Sequence, residues 1–321
     1  MTASLEYQQE PTGTERFFAF ARARHEITLA RRAGLPHPWT DDAILATYRF
    51  TNVFRELDRV TLWIDEHVRR PLDAMLERGE IEPWQVVLGI VLARTFNRTE
   101  TLEMIFCQEC MITGAIPGWD YITGDPGNSG KAYTLNDLHV YMLSKCSPPW
   151  VTGAYIVKTP DAMDKLAGAL WIVERARERL PTLARDRSFA CSMQALHADL
   201  VTLPYLGGFT AYEIVSDVRW TEVGRGWPDI MSWAHAGPGA IRGLHRVHGR
   251  DHTKGLPIAQ SLAEMRDLLR MSVSWTGAVW EGEQPKDWPA WEMREVEHTL
   301  CEWDKYERAR LGQGRPRGVY R

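Results

Sequence analysis

The chain has 321 residues, of which 44% are hydrophobic and 25% are charged, and its formal net charge is −4. This composition is ordinary for a globular protein with a large core, and no apolar run is long enough to span a membrane. The first residues lack the basic and then apolar order of a signal peptide, and the five irregularly spaced cysteines do not suggest a disulfide framework. We therefore expect a cytoplasmic protein with reduced cysteines.

Helical periodicity dominates the chain, so we predict a mainly α fold. The first predicted helix follows Thr14 and ends at Gly34. The second has Thr40 as its N-cap and two aspartates in its first turn, and it continues to residue 64, which gives a helical hairpin. Further helices are predicted over residues 83–96, 160–180, 261–275 and 292–312, and only residues 154–157 have strand character.

These helices are expected to form one domain over residues 1–321, with two closely packed lobes at about 14–117 and 135–311. The Gly-, Pro- and Asn-rich loop 118–134 is the predicted boundary between the lobes. Residues 312–321 are expected to form a flexible basic tail.

Two stretches are similar to known cofactor motifs but depart from them. The segment GDPGNSGKA resembles a nucleotide-binding P-loop, yet Asp125 replaces its first glycine, Ala132 replaces the Mg-binding hydroxyl, and no long apolar strand precedes it. Lys131 can still contact a phosphate from this loop. The pair Cys107-x-x-Cys110 lies in an apolar run without a second pair or neighbouring histidines, so buried helix cysteines are expected there. We therefore predict neither a P-loop nor a metal site.

The stretch LPYLGGFTAYEIVSDVRW, residues 203–220, indicates a two-glycine turn that enters a helix. Backbone N–H groups at a helix N-terminus favour an anion, so a phosphate is the expected ligand. The spacing resembles the helix-hairpin-helix element of DNA glycosylases, which holds a strand while a base is flipped out. Tyr205 stands where those proteins have a first glycine, and Phe209 where lyase-type members have a lysine, so Schiff-base chemistry is not expected. Asp217, further along, is either a base or electrostatic stabiliser, or a solvated residue of a packing turn.

Five blocks along the chain are similar to the α-glutamyl/putrescinyl thymine pyrophosphorylases of phages, also described as the helical domain associated with 5-hydroxymethyluracil DNA kinases. They cover residues 24–61, 150–157, 203–220, 233–244 and 293–317, in this order. The resemblance implies a DNA-glycosylase fold and action on activated 5-hydroxymethyluracil in double-stranded phage DNA. In such a reaction an amino acid or amine replaces a phosphate or pyrophosphate. It also implies a monomer in the cytoplasm of the infected bacterium, with no cofactor, no metal and no membrane contact.

This chemistry needs cationic donors for the leaving group, a pocket for the flipped base and a group that takes the proton of the amine. Arg49, Asn52 and Arg55 are spaced by three, which places them on neighbouring parts of one helix face. The predicted catalytic residues are Asp217, Asp58, Arg55 and His25. The predicted phosphate-binding residues are Arg24, Arg49, Asn52, Arg59 and Lys305, and the predicted base pocket is Trp39, Tyr48 and Phe50. DNA contacts are predicted for Gly207, Gly208, Thr210, Gly237, Gly239, Arg242, Arg315 and Arg317.

Structural alternatives stay open for most of these residues. The arginines of the first hairpin can instead pair with Glu56, Asp58 and the helix dipoles, and the aromatic residues can belong to the core. Glu297 and Asp304, two turns apart on the last helix, can serve the site or form a solvated, salt-bridged face. Functional alternatives are a 5-hydroxymethyluracil DNA kinase, a base-excising glycosylase and a DNA-binding subunit without catalysis.

Overall fold

The computed structural model is almost entirely helical, and it describes residues 11–107, 117–124, 134–145, 147–154, 156–186, 189–279 and 290–320. No strand occurs within these residues, where Tyr48 and Val319 form an isolated antiparallel bridge. The mainly α class is therefore confirmed, whereas the strand expected near residues 154–157 is wrong for Ala154, Ile156 and Val157. No helix in these parts of the chain is both long and apolar enough to cross a membrane.

Fourteen α-helical segments span the described residues. In chain order they are α1 Gly13–Arg32, α2 Ala43–Thr47, α3 Arg59–Ile64, α4 Arg70–Glu77, α5 Pro83–Phe96, α6 Thr99–Phe106, α7 Pro117–Thr123, α8 Leu135–Lys145, α9 Lys165–Leu183, α10 Met193–Leu200, α11 Gly208–Val218, α12 Pro238–Val247, α13 Ile258–Val279 and α14 Met293–Arg310. A 3₁₀ turn, Arg55–Leu57, precedes α3, and a π-helical turn, Asp65–Arg69, joins α3 to α4.

Contacts divide the chain into two compact units. The first unit combines Met1–Arg55 with Ala236–Arg321, and the second is Glu56–His235. These bounds differ from the two lobes expected from the sequence, because the terminal segments belong to one unit and the middle of the chain forms the other.

The first unit is organised by the close packing of α12 on α14. A Cβ atom added at Gly243 would lie 2.3 Å from the carbonyl oxygen of Leu300, and one added at Gly239 would lie 2.5 Å from Cys301 Sγ. The contact with backbone at Gly243 permits only glycine, so this position fixes the distance between the helices. Trp303 of α14 is 1% exposed and belongs to the core of this unit.

The second helix of the predicted hairpin is not continuous, since only Ala43–Thr47 and Arg59–Ile64 are α-helical within its predicted range. Asp42, not Thr40, is the N-cap of α2, and this helix has only five residues, Ala43–Thr47. The following segment is non-helical because it pairs with the C-terminal tail: Arg49 N–H donates to Gly318 O at 2.9 Å, and Tyr320 N–H donates to Thr47 O at 3.0 Å. Arg49, Asn52 and Arg55 therefore do not share a helix face, and residues 318–320 are docked instead of forming a free tail.

The second unit is built around α5, which has the bounds predicted from the sequence. Pro83 occupies the first turn, and Glu82 and Gln85 form a reciprocal capping box. The helix is buried from Gln85 to Phe96 and ends at Asn97, whose backbone is left-handed with φ 45°. Helices α9 and α11 pack against α5. This buried helix supports the turn that leads into α11.

Candidate functional site

A compact turn leads from α10 into α11, as the sequence predicted. Gly207 is the N-cap of α11, with φ −71° and ψ 167°, and it makes no side-chain cap bond. Tyr205 has φ 65°, so an aromatic residue adopts the left-handed backbone that glycine-rich turns ordinarily use. The N-terminus of α11 therefore lacks the side-chain cap that Ser, Thr, Asp or Asn would supply, and its dipole favours a negatively charged ligand.

An open cavity of about 270 Å³ lies against this turn. Three large side chains at the cavity are exposed: Ile156 at 73%, Phe209 at 53% and Tyr205 at 45%. Lys158 also lines the cavity, is exposed, and has no acidic partner among the residues that the structure describes. The remaining lining residues are Thr95, Val157, Ile172, Leu206, Gly207, Gly208 and Thr210. Apolar surface next to a cation and a helix N-terminus suits a ligand with a planar apolar part and an anionic part.

A buried histidine, His197, and a half-buried one, His235, lie behind the start of α11. A Cβ atom at Gly208 would lie 2.6 Å from His235 Nε2, and His197 Nε2 is 3.0 Å from the Gly208 carbonyl oxygen. The two imidazole rings stack with their centroids 4.5 Å apart. Burial lowers the pKa of both rings, and the charge of His197 lowers the pKa of His235 further. Gly208 thus allows close packing on the histidine pair, a role that the sequence did not predict.

Asp217 forms a buried ion pair within the second unit. Its side chain is 2% exposed, and its two oxygens accept from Arg94 Nε at 2.5 Å and Arg94 Nη2 at 2.8 Å. Arg94 also donates to Asn97 Oδ1 at 2.8 Å and Thr61 Oγ1 at 3.0 Å. The pair joins α11 to α5, which assigns Asp217 a structural contact in place of a solvated position. Whether Asp217 also acts as a base stays a prediction.

Arg24 and His25 of α1 are buried in the first unit. Arg24 is 3% exposed, and its Nε and Nη2 donate to the Thr51 carbonyl oxygen at 3.1 and 2.9 Å. His25 is fully buried against Phe54, and burial together with the charges of Arg24 and Arg32 lowers its pKa to about 3. The structure thus gives both residues packing contacts, and their phosphate-binding and catalytic roles stay predictions.

Asn52, Phe50 and Lys305 also engage neighbours within the first unit. Asn52 Oδ1 accepts from Thr28 Oγ1 at 2.7 Å. Lys305 Nζ lies 2.6 Å from Glu302 Oε2 and 4.7 Å above the centre of the Phe50 ring. These contacts provide ordinary packing explanations for three residues that the sequence placed at the phosphate site and the base pocket.

Arg55, Asp58 and Arg59 lie close to the start of α3. Arg55 begins the 3₁₀ turn and is half-buried, whereas Asp58 occupies the N-cap position of α3 without a side-chain cap bond. Arg59 is highly exposed and lies 3.7 Å from Glu100. The three residues do not occupy the single helix that the hairpin prediction required.

Trp39, Tyr48 and Arg49 lie beside the docked C-terminal tail. The Arg49 guanidinium is 5.5 Å from the centre of the Tyr320 ring, and the Trp39 ring meets Tyr320 edge-on at 5.1 Å. Arg31 of α1 lies 5.7 Å from the same ring. Arg31, Trp39, Arg49 and Tyr320 together form the Tyr320 cluster.

The remaining predicted DNA contacts fall on α12 and on the tail. Gly237 N–H donates to Glu297 Oε1 at 3.4 Å, and Gly239 packs on Cys301. Arg242 Nε lies 2.8 Å from the buried carboxylate of Asp304, which Arg246 and Arg308 also approach. Arg315 and Arg317 are exposed. Gly239 and Asp304 thus have packing and ion-pair contacts, whereas the two tail arginines face solvent.

The two stretches that are similar to cofactor motifs lie only partly within the described residues. Residues 125–133, which hold most of the P-loop-like stretch and Lys131, lie outside the described residues, as does Cys110. Cys107 ends α6 and is exposed, so the expectation that it is buried is wrong. No group of three His, Cys, Asp or Glu residues suited to a metal occurs in the described ranges.

Sequence comparison identifies the family. Residues 12–315 match the family model described as the helical domain of 5-hmdU DNA kinase. The chain belongs to this helical-domain family. A protein of Bacillus phage SP10 called 5-hmdU DNA kinase is 28% identical over 228 residues, which cover 67% of this chain and 32% of that protein. The chain therefore spans about one third of the length of this relative, and no solved structure gives a significant match.

Several residues of this helical-domain protein were missed by the sequence analysis. Arg94 sits inside the apolar run QVVLGIVLARTF, and a lone arginine in such a run is the available signal for a buried partner. Lys158 and Tyr320 carry no local signal, because their neighbours come from distant parts of the chain.

Proposed function

We propose that the protein modifies 5-hydroxymethyluracil in phage DNA after the hydroxymethyl group has been activated as a phosphate or pyrophosphate ester. An amino acid or amine replaces the ester in this reaction. Family membership supports 5-hydroxymethyluracil DNA as the substrate class, since the SP10 relative is named for it. The helical domain corresponds to about one third of that relative, which leaves room for a kinase activity elsewhere in the longer protein.

The P-loop-like stretch argues against ATP-dependent phosphorylation by this chain. Transfer from ATP needs a glycine-rich phosphate cradle and a hydroxyl that binds Mg²⁺. Asp125 and Ala132 occupy the corresponding positions of this sequence. A reaction that consumes the phosphorylated base, instead of producing it, is consistent with these residues.

The cavity at the start of α11 is the observation that carries the proposal. Tyr205 and Phe209 offer aromatic surface on which a flipped pyrimidine can stack. The N-terminal dipole of α11 and the ammonium of Lys158 offer positive charge for a phosphate oxygen. One cavity therefore combines the two recognition elements that an activated base requires.

The proposed chemistry uses this positive charge when the leaving group departs. The bond between the exocyclic carbon and the ester oxygen breaks, and its electron pair goes to the phosphate or pyrophosphate. The amine nitrogen then bonds to that carbon and releases one proton. Because negative charge accumulates on the departing oxygen, preorganised amides and Lys158 lower the energy of this step.

Mass spectrometry of nucleosides tests the proposal. DNA that carries phosphorylated or pyrophosphorylated 5-hydroxymethyluracil is incubated with the protein and pooled amino acids and amines, then digested. We expect a new nucleoside that has lost the ester and gained the mass of one amine minus one proton. The same DNA with unactivated 5-hydroxymethyluracil should give no product.

Variants at the cavity connect the reaction to this site. Lys158→Ala is expected to reduce the rate on the order of tenfold or more, because one cation near the leaving group is lost. Lys145→Ala, at the exposed end of α8, is the matched control and should keep the wild-type rate. If the wild-type protein gives no product, the transferase proposal is refuted. ATP-dependent phosphorylation of the unactivated DNA would indicate a kinase, and the appearance of abasic sites would indicate a glycosylase.

A further inference from the structure

The Tyr320 cluster of the first unit is built by the docked C-terminal tail. Two backbone hydrogen bonds, Arg49 N–H to Gly318 O and Tyr320 N–H to Thr47 O, hold residues 318–320 beside residues 47–49. Pro316 is buried upstream of this contact. The tail therefore delivers Tyr320 to a fixed place between α1 and the segment that follows α2.

Tyr320 fixes two arginines through its ring. The guanidinium carbons of Arg31 and Arg49 lie 5.7 and 5.5 Å from the ring centre, and Arg31 lies 5.5 Å from the centre of the Trp39 ring. Such cation–π contacts hold a guanidinium in place without consuming its N–H donors. Both arginines are exposed, so these donors face solvent.

The charges of Arg31 and Arg49 are not neutralised by protein carboxylates in the described part of the chain. Other arginines of the same unit differ in this respect: Arg246 lies 2.8 Å from Asp304, and Arg250 lies 2.6 Å from Glu264. The Tyr320 cluster is therefore a preoriented basic surface on a chain whose net charge is −4.

We infer that the Tyr320 cluster binds phosphate groups of the DNA backbone. Guanidinium forks match phosphate oxygens in geometry, and their prior fixation by aromatic rings reduces the entropy lost on binding. The contact is independent of base identity, since it involves backbone phosphates only. This inference rests on the proposed function for its choice of DNA as the polyanion, and it adds a second contact region that lies wholly within the first unit.

Salt-dependent binding to a thymine-containing duplex tests the inference. Each phosphate contact makes the slope of log K against log salt steeper by about 0.9. Relative to about 1 M salt, one such contact therefore raises the affinity about fivefold at about 0.15 M salt. Arg31→Gln and Arg49→Gln are each expected to show this loss and a slope shallower by about 1. Arg22→Gln is the matched control, because Arg22 is exposed on α1 but pairs with Glu26 at 2.8 Å.

Tyr320→Ala separates positioning from charge. This variant keeps both arginines, so weaker binding than wild type shows that the ring orients them. Circular dichroism and thermal unfolding establish that each variant is folded. Wild-type affinity and salt slope in the Arg31→Gln/Arg49→Gln double variant would overturn the inference.

The two proposals fail in different ways. If the wild type binds DNA through the cluster but yields no new nucleoside, the transferase proposal fails and the inference stands. If the wild type yields the nucleoside and the double variant binds like wild type, the inference fails and the transferase proposal stands.

Discussion

Replacement of Asp217 by asparagine distinguishes a structural from a catalytic role for this residue. The Arg94–Asp217 pair is buried, with side-chain exposures of 5% and 2%, and two short hydrogen bonds join the charges. Removal of one partner from such a pair costs about 3–5 kcal/mol, because the other charge is left buried without compensation. This is a large part of the roughly 5–15 kcal/mol that stabilises a typical folded domain.

Thermal and urea unfolding of Asp217→Asn measure this cost. We expect a decrease of the midpoint temperature of roughly 6–20 °C, from about 2–4 °C per kcal/mol for a unit of this size. The double variant Arg94→Met/Asp217→Leu should lose less than Asp217→Asn alone, because neither buried charge remains. A loss of stability under about 1 kcal/mol, together with a large loss of product at unchanged DNA affinity, would refute the structural reasoning and favour the base assignment.

Acid is expected to lower the free energy of unfolding through His25, whose pKa is 6.5 in the unfolded chain and about 3 in the folded protein. The contribution of His25 to stability is therefore fully present above pH 6.5 and is lost as the pH decreases towards 3. The wild type should lose about 2 kcal/mol more than His25→Leu between about pH 8 and pH 5 in urea titrations, and parallel pH profiles would contradict the buried neutral ring. Gly243→Ala should destabilise by about 1–3 kcal/mol, since its Cβ would lie 2.3 Å from Leu300 O. Gly255→Ala, where no atom lies within 4 Å of the new Cβ, is the control, and equal midpoints for the two alanine variants would remove the packing argument.

The elements predicted well from the sequence are those fixed by nearby residues. Helix α5 has its predicted bounds because Pro83, Glu82 and Gln85 act within one turn. The turn into α11 was likewise predicted, since Gly207 is the N-cap and the helix begins at Gly208, as the local sequence indicates.

Failures of the sequence analysis come from contacts between distant residues. The helix predicted up to residue 64 is interrupted after α2 because Arg49 pairs with Gly318, far along the chain. Asp217 pairs with Arg94 across 123 positions, and no local pattern around Asp217 reveals that partner. Composition and periodicity also do not distinguish a buried arginine such as Arg24 from one that faces a ligand.

The left-handed backbone of Tyr205 means that stability and ligand binding favour different residues at this position. A residue with a side chain in this conformation costs about 1–2 kcal/mol relative to glycine, so glycine would make the turn more heat-resistant. The same exchange would delete an aromatic wall of the cavity and its edge contact with Trp171 at 5.8 Å. Selection for thermostability alone would therefore favour glycine at position 205, whereas a screen for retained activity would favour tyrosine.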